Sequence, residues 1–168
     1  FGRKRKKVAI GVHDFDKIKP PIKYLGFSRE SKMIPLEFSH EMTLREVLEK
    51  VPKGKEYGNI IESAKFWPVF IDEHGVFSFP PIINSDRTKL TAKTKNLFLD
   101  ITGTDKTTVT QALNIIVTNL AERGAKIESV KLKYEKKSEV SPNLNETVVE
   151  VDKAIANKII GINLRGDE

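Results

Sequence analysis

The stretch SFPPIINSDRTKLTAKTKNLFLDITGTD, residues 78–105, decides the fold because it contains a strand with a carboxylate near its centre. Residues 97–101 read LFLDI, and three consecutive apolar side chains are typical of a strand covered on both faces. Side chains alternate along a strand, so Asp100 shares a face with Phe98 and Thr102 and is predicted to be buried. A buried carboxylate is costly unless it is paired, hydrogen-bonded or neutral, which indicates either a structural network or a functional site.

The residues after this strand favour a ligand-binding position. Gly103, Thr104 and Asp105 are predicted to lead into a helix. The carboxyl end of a strand that meets a helix N-terminus is where α/β folds tend to bind ligands. The other interpretation is an aspartate that only caps a neighbouring loop, and the local chemistry leaves both open.

The composition of this 168-residue chain, 39% hydrophobic and 31% charged, indicates one globular domain. No apolar stretch approaches the ~20 residues of a membrane-spanning helix and no secretory signal is recognisable, so we expect a cytoplasmic protein without membrane contact. The absence of cysteine excludes disulfides, thiolate chemistry and cysteine-based zinc sites. The histidines, His13, His40 and His74, are far apart in sequence, so we expect no metal site and predict each to be a surface or turn residue.

Basic residues are concentrated in an N-terminal arm, and the rest of the chain is nearly neutral. Five of the 29 basic residues are consecutive there: Arg3, Lys4, Arg5, Lys6 and Lys7. Such a run can bind nucleic-acid phosphates, or it can be a solvated tether. Because the chain begins with Phe rather than Met, we expect it to be a piece of a longer protein.

The hydrophobic pattern predicts a sheet with flanking helices. Alternation and turn residues predict strands at 8–12, 22–27, 68–71, 76–79, 96–102 and 130–134, with a polar turn at 13–16 and a hairpin turn at 72–75. Helical spacing predicts helices at 44–51, 109–120 and 152–160, the first of them started by a capping box of Thr43 and Glu46. Residues 138–146 contain Pro142 and two asparagines and are interpreted as a linker.

The motifs of nucleotide and metal enzymes are missing from the sequence. It contains no GxGxxG or GxxxxGK loop, no GxSxG elbow and no HExxH pair. Any hydrolysis would therefore depend on a water positioned by carboxylates, hydroxyls, backbone amides or the substrate itself. That chemistry is feasible for an activated ester and poor for an amide.

Four stretches in order carry a resemblance to a known family: GRKRKKVAIGVHDFDKIKPPIKY, WPVFIDEHGVFSFPPIINSD, TKNLFLDITGTD and ALNIIVTNLAERG. Together they resemble the central editing module of the phenylalanyl-tRNA synthetase beta subunit of the archaeal and eukaryotic type. The resemblance implies an α/β (α+β) fold, with a mixed β-sheet flanked by helices. It divides the chain into a basic arm at 1–7, a single editing domain at 8–137, and a linker with the start of the next domain at 138–168.

The resemblance also implies a function. The module would hydrolyse tyrosine mistakenly attached to tRNA(Phe), within the ligase that charges this tRNA with phenylalanine. Its partners would be tRNA(Phe), which the basic arm would bind, and the alpha subunit in a heterotetramer. No cofactor is expected in this chain, because ATP and magnesium would belong to the synthetic site elsewhere in the holoenzyme.

Carried over position by position, the family's editing pocket corresponds to Val69, Ser78, Asp100 and Thr102. Asp100 would accept the phenol proton of tyrosine, Val69 would cover the ring, and Ser78 and Thr102 would hold the amino acid or orient the water. Val69 stands where relatives are expected to have leucine, and Phe79 where they often have methionine. Two alternatives remain at this point: a tRNA-binding module without catalysis, and a domain that supports subunit assembly.

Overall fold

The computed structural model describes residues 4–146 and 148–163. The strands in this part of the chain are β1 Val8–Asp14, β2 Lys23–Phe27, β3 Lys32–Met33, β4 Met42–Thr43, β5 Trp67–Asp72, β6 Gly75–Phe79, β7 Ile83–Asn84, β8 Leu97–Gly103, β9 Val130–Lys133 and β10 Ser138–Ser141. The α-helices are α1 Leu44–Lys50, α2 Pro52–Tyr57, α3 Lys106–Glu122 and α4 Lys153–Ile160. Short 3-10 helices occupy Phe15–Lys17, Gly58–Ile60 and Asp86–Thr88.

The strands form one four-stranded sheet and three two-stranded sheets. The larger sheet has the order β2-β5-β6-β7, and the pairs are β1-β8, β3-β4 and β9-β10. Every pairing among the described strands is antiparallel. The predicted α+β class is confirmed, and so is the hairpin, in which a turn at Glu73 and His74 joins β5 to β6.

The main core lies between the four-stranded sheet and the helices α1 and α2. Leu44 and Val47 of α1 are wholly buried against Val69 of β5 and Phe79 of β6. The predicted capping box starts α1: the Glu46 amide donates to the Thr43 hydroxyl, and the Thr43 amide donates to the Glu46 carboxylate.

The other face of this sheet points toward the β1-β8 pair. Directly paired residues share a face, and the pairings place Tyr24, Phe70, Ser78 and Asn84 in one row across the four strands. The rings of Phe70 and Phe98 of β8 meet edge to face at 6.5 Å between centroids. The space between the two sheets is therefore partly filled by aromatic rings.

The predicted helices after β8 are confirmed. In α3, the Asp105 side chain caps the first turn by accepting from the Thr108 amide. Asp152 caps α4 in the same way, and Gly161 ends it in a left-handed conformation at φ 80°. None of the described helices is long and apolar enough to cross a membrane.

Two local predictions are wrong. Ser138–Ser141 is a strand paired with β9, not part of a linker, because its side chains alternate opposite Val130–Lys133. His13 is not in a turn: β1 continues to Asp14, since β8 offers seven residues to pair with and the register runs from Val8 opposite Gly103 to Asp14 opposite Leu97.

Candidate functional site

A cavity of about 340 Å³ lies between the β1-β8 pair and the β6-β7 end of the larger sheet. Its polar and charged lining residues are Arg5, Glu37, Lys53, Ser78, Asn84 and Asp100. The remaining lining residues are small or apolar: Ala9, Ile10, Gly11, Leu36, Pro80, Pro81, Ile82 and Ile83. The volume and the mixture of apolar walls with a few polar groups are typical of a small-molecule site.

Asp100 contributes a carboxylate to the cavity wall, at the middle of the β1-β8 pair. It is 4% exposed and lies opposite Gly11 in the register. A Cβ at Gly11 would lie 2.5 Å from Oδ1 and 2.6 Å from Oδ2 of Asp100, so only a glycine leaves room for this carboxylate. The prediction that Asp100 is a buried carboxylate inside a strand is confirmed.

His13 contacts the Asp100 carboxylate and is not itself part of the cavity lining. Its Nε2 lies 2.9 Å from Asp100 Oδ2, and its Nδ1 lies 2.8 Å from the Thr88 hydroxyl. The imidazole is fully buried, with the ring of Phe77 edge-on at 5.1 Å. Our prediction of a surface or turn residue is wrong for His13, although His40 and His74 are exposed as expected.

A signal for His13 was present in the sequence. Period-two alternation puts Ala9, Gly11 and His13 on one face of β1, and that face is buried at all three positions. Ala9 and Gly11 are small, so this face of β1 lets a side chain from another strand approach the backbone closely. Sequence reasoning missed Gly11, His13 and Thr88 because their partners are more than 70 residues away.

Ser78 and Asn84 form the opposite wall. The Ser78 hydroxyl donates to Asn84 Oδ1 at 3.2 Å, and the Asn84 amide donates to the backbone oxygen of Val12 at 3.4 Å. Asn84 thus links β6, β7 and β1 next to the cavity. The structure therefore brings two of the predicted pocket residues, Ser78 and Asp100, to one cavity.

The other two predicted pocket residues do not line the cavity. Val69 is wholly buried in the main core, because it precedes Phe70 in β5 and adjacent side chains point to opposite faces. Val69 therefore lies outside this cavity, and Phe70 is the β5 residue on the Ser78 side. The expectation that Val69 covers a bound ring stays a prediction. Thr102 shares the Asp100 face, opposite Ala9, but lies outside the cavity lining.

The basic arm is not uniformly solvated. The Arg5 guanidinium donates to the backbone oxygens of Pro81 at 2.7 Å and Ile82 at 2.6 Å, and it lies 4.4 Å from the centre of the Tyr57 ring. Lys4 and Arg5 have positive φ angles of 55° and 64°, a backbone conformation that costs free energy for residues other than glycine. The contacts of Arg5 stabilise this conformation.

The remaining cations of the arm stay available to a partner. Lys4, Lys6 and Lys7 are exposed, whereas Arg3 lies outside the described residues. Among the four described residues of the predicted tRNA-binding run, Arg5 alone lines the cavity, and phosphate binding by the run stays a prediction.

Tyr24 lies near enough to Asp100 to be affected by its charge. Desolvation and then the negative charge of Asp100 raise the pKa of the Tyr24 phenol above its ordinary value. Its ring packs on Phe70 with 4.6 Å between centroids. Across the described residues, no group of three or more histidine, aspartate or glutamate side chains could hold a metal ion.

Comparison with known proteins identifies the family. The B3/4 domain family matches residues 5–136. Phenylalanine–tRNA ligase beta subunits from Pyrococcus horikoshii and Methanocaldococcus jannaschii are 48% and 49% identical to the chain, covering 100% and 98% of it. The chain spans only 31% and 30% of these relatives.

A solved structure supports the same assignment. The crystal structure of an N-terminal fragment of the phenylalanyl-tRNA synthetase beta subunit from Pyrococcus horikoshii superposes with a TM-score of 0.95 at 48% identity, covering all of this chain and 49% of that fragment. Sequence, fold and coverage agree with the resemblance drawn from the four motifs. The chain belongs to the B3/4 domain family, in the form found in archaeal phenylalanine–tRNA ligase beta subunits.

Proposed function

We propose that this domain hydrolyses tyrosine from mischarged tRNA(Phe), as part of a phenylalanine–tRNA ligase whose alpha subunit carries the synthetic site. The observation that carries the proposal is the Asp100 carboxylate at the wall of the cavity. Its Oδ2 is engaged by His13, while Oδ1 has no hydrogen-bond partner among the described residues. An unused acceptor in a largely apolar cavity is what selection of a phenol hydroxyl requires.

The physical reason is that tyrosine and phenylalanine differ only by the phenol hydroxyl. An apolar synthetic pocket rejects an added hydroxyl only about 10²-fold, whereas a site built to bond that hydroxyl rejects the analogue lacking it by ~10⁴ or more. Phenylalanine bound here would leave Oδ1 of Asp100 without a hydrogen-bond donor, although His13 still contacts Oδ2. The cavity therefore supplies the selection that a synthetic site lacks.

The chemistry requires little from the protein. A water adds to the carbonyl carbon of the aminoacyl ester, the carbonyl oxygen becomes an oxyanion, and collapse expels the terminal ribose hydroxyl of the tRNA as the leaving group, with a proton passing from the water to that oxygen. The Ser78 hydroxyl, and Thr102 at the strand end, are proposed to orient the water or the amino acid. Correct placement of one oxyanion donor changes such rates by ~10²-fold or more.

The cavity lining also contains two cations. Arg5 and Lys53 are both among the lining residues, and Lys53 lies 5.5 Å from the Tyr57 ring that Arg5 covers. Glu37 and Asp100 balance their charge in the lining, and Lys53 is paired with Glu56 at 3.5 Å. The two cations are therefore proposed to contact single phosphates near the end of a tRNA, not to attract it through a net positive field.

The test is deacylation of pre-formed Tyr-tRNA(Phe) by the complete synthetase carrying Asp100→Asn or Ser78→Ala, with His74→Ala, an exposed turn residue, as the matched control. We expect the Asp100 variant to lose most of the deacylation while phenylalanine charging continues, and the control to behave as the parent. If the parent protein does not deacylate Tyr-tRNA(Phe), the module binds tRNA or supports assembly instead. Salt-dependent tRNA binding separates those two alternatives.

A further inference from the structure

We infer that His13 is a positioning residue that fixes which oxygen of Asp100 faces the cavity, and that Thr88 in turn orients His13. The inference rests on the proposed function. Three residues from distant parts of the chain form one buried chain of hydrogen bonds, Thr88–His13–Asp100. Only the last of them lines the cavity.

The imidazole cannot act on a substrate directly. His13 is fully buried, absent from the cavity lining, and enclosed by the rings of Phe77 and Phe98 at 5.1 Å and 6.2 Å between centroids. Any influence on binding must therefore pass through Asp100. The 2.9 Å contact to Oδ2 provides that route.

Which groups can donate and which can only accept determines the direction of each hydrogen bond. A carboxylate only accepts, so Nε2 of His13 donates to Asp100. The Thr88 hydroxyl is 2.8 Å from Nδ1 and 3.5 Å from the backbone oxygen of Ser85. The acceptor-only carboxylate thus fixes the proton of the neutral imidazole on Nε2 and leaves Nδ1 to accept from the Thr88 hydroxyl. This hydrogen bond holds the ring in the orientation that contacts Asp100.

The backbone at Gly11 further restricts the orientation of the Asp100 carboxylate. Gly11 lies beneath it, so close that a Cβ would collide with both oxygens. With Oδ2 held by His13 and the carboxylate packed on Gly11, Oδ1 is the oxygen left for a phenol hydroxyl. A pre-oriented acceptor loses less free energy on binding than one that must first rotate into place.

The experiment compares paired variants in the complete synthetase. His13→Leu removes the donor, and His13→Gln keeps an amide donor near the position of Nε2. Thr88→Val removes the hydroxyl at nearly constant volume, and Thr88→Ser keeps it. His40→Leu, at an exposed histidine, is the control. The readouts are the kcat and KM for Tyr-tRNA(Phe) deacylation and the affinities for free tyrosine and phenylalanine, measured with the synthetic site saturated by a non-hydrolysable phenylalanyl-adenylate analogue.

We expect His13→Leu and Thr88→Val to lower the preference for tyrosine about tenfold or more, the value of one hydrogen bond to a charged group. Phenylalanine affinity should not change, and His13→Gln and Thr88→Ser should restore much of the preference. In an Asp100→Asn background, His13→Leu should have no further effect on the preference, because its action passes through Asp100. Nitrogen-15 NMR of the imidazole should show the Nε2–H tautomer in the parent, and in Thr88→Val the Nδ1 resonance should shift because its hydrogen bond is lost.

Two results would overturn the inference. One is a folded His13→Leu or Thr88→Val variant that keeps the full tyrosine preference. The other is an equal loss in the presence and absence of the Asp100 carboxylate, which would indicate a purely structural effect. Failure of the proposed function is distinguishable, because the parent protein would then show no Tyr-tRNA(Phe) deacylation at all.

Discussion

The Asp100 carboxylate occupies the space that a side chain at Gly11 would need. The two residues are directly opposed in the β1-β8 pair, and a Cβ built on Gly11 would lie 2.7 Å from the Asp100 carboxyl carbon. Because the wall of the cavity includes both residues, this close approach determines where the carboxylate can point.

Gly11→Ala should therefore abolish the preference for tyrosine. The added methyl group forces the Asp100 carboxylate to rotate or shift, which breaks its alignment with His13. Titration calorimetry with tyrosine and phenylalanine measures the change, and the Asp100→Asn background is the control, since Gly11→Ala should add nothing there. An unchanged preference in the single variant would contradict the role assigned to this pair.

Asp100→Ala should reduce the affinity for tyrosine to that for phenylalanine. Losing a hydrogen bond to a charged group costs ~1.5–3 kcal/mol, and phenylalanine never makes that bond. The same calorimetry on the parent protein provides the reference. Equal affinities of the parent for the two amino acids would refute the selection mechanism.

The basic arm should separate into two functions. Replacing Lys4, Lys6 and Lys7 by alanine should flatten the slope of log tRNA affinity against log salt, because fewer counterions are released. It should leave the tyrosine preference intact, since these side chains are exposed and do not line the cavity.

Arg5→Ala should instead weaken binding of the free amino acids, because the guanidinium holds the Pro81 and Ile82 backbone at the cavity wall. Binding isotherms with free tyrosine, a ligand without phosphates, distinguish this effect from lost tRNA contacts. If Arg5→Ala changes only the salt slope, the arm acts as one phosphate-binding run.

Val69→Ala should lower the free energy of unfolding by about 2 kcal/mol and leave the ratio of tyrosine to phenylalanine affinity unchanged. Two buried methyl groups are deleted from a core in which Val69 is wholly buried. Denaturant unfolding and calorimetry on the same variant provide both measurements. A stable variant with an altered ratio would return Val69 to the binding site.

Acid should weaken the first turn of α1. The hydrogen bond from Lys50, and then those from the Thr43 amide and hydroxyl, lower the pKa of Glu46 from 4.5 to about 2. A lowered carboxyl pKa stabilises the folded state above pH 4.5, and that stabilisation is lost as pH falls toward 2. The stability difference between the parent and Glu46→Gln should therefore shrink over this range in unfolding experiments, whereas a constant difference would contradict the assignment.

Local sequence signals predicted much of the fold. The capping box of Thr43 and Glu46, the β5-β6 hairpin and the stop of α4 at Gly161 all depend on residues within a few positions of one another. Such signals are readable because turn geometry and helix periodicity are local properties of the backbone. The prediction failed at residues 138–141, where a composition typical of loops forms a strand because β9 provides a partner.

The candidate site, like the fold, was predictable from the sequence only in part. By itself, the sequence determined that Asp100 is a buried carboxylate on an apolar strand, and the ordered motifs determined the family. Only the tertiary structure decided that Val69 packs in the core, that Arg5 closes one wall, and that His13 holds Asp100. These outcomes depend on which faces of two separate sheets meet. Contacts between residues 70 or more positions apart leave no local pattern, since either face of a strand can be the one that a distant strand covers.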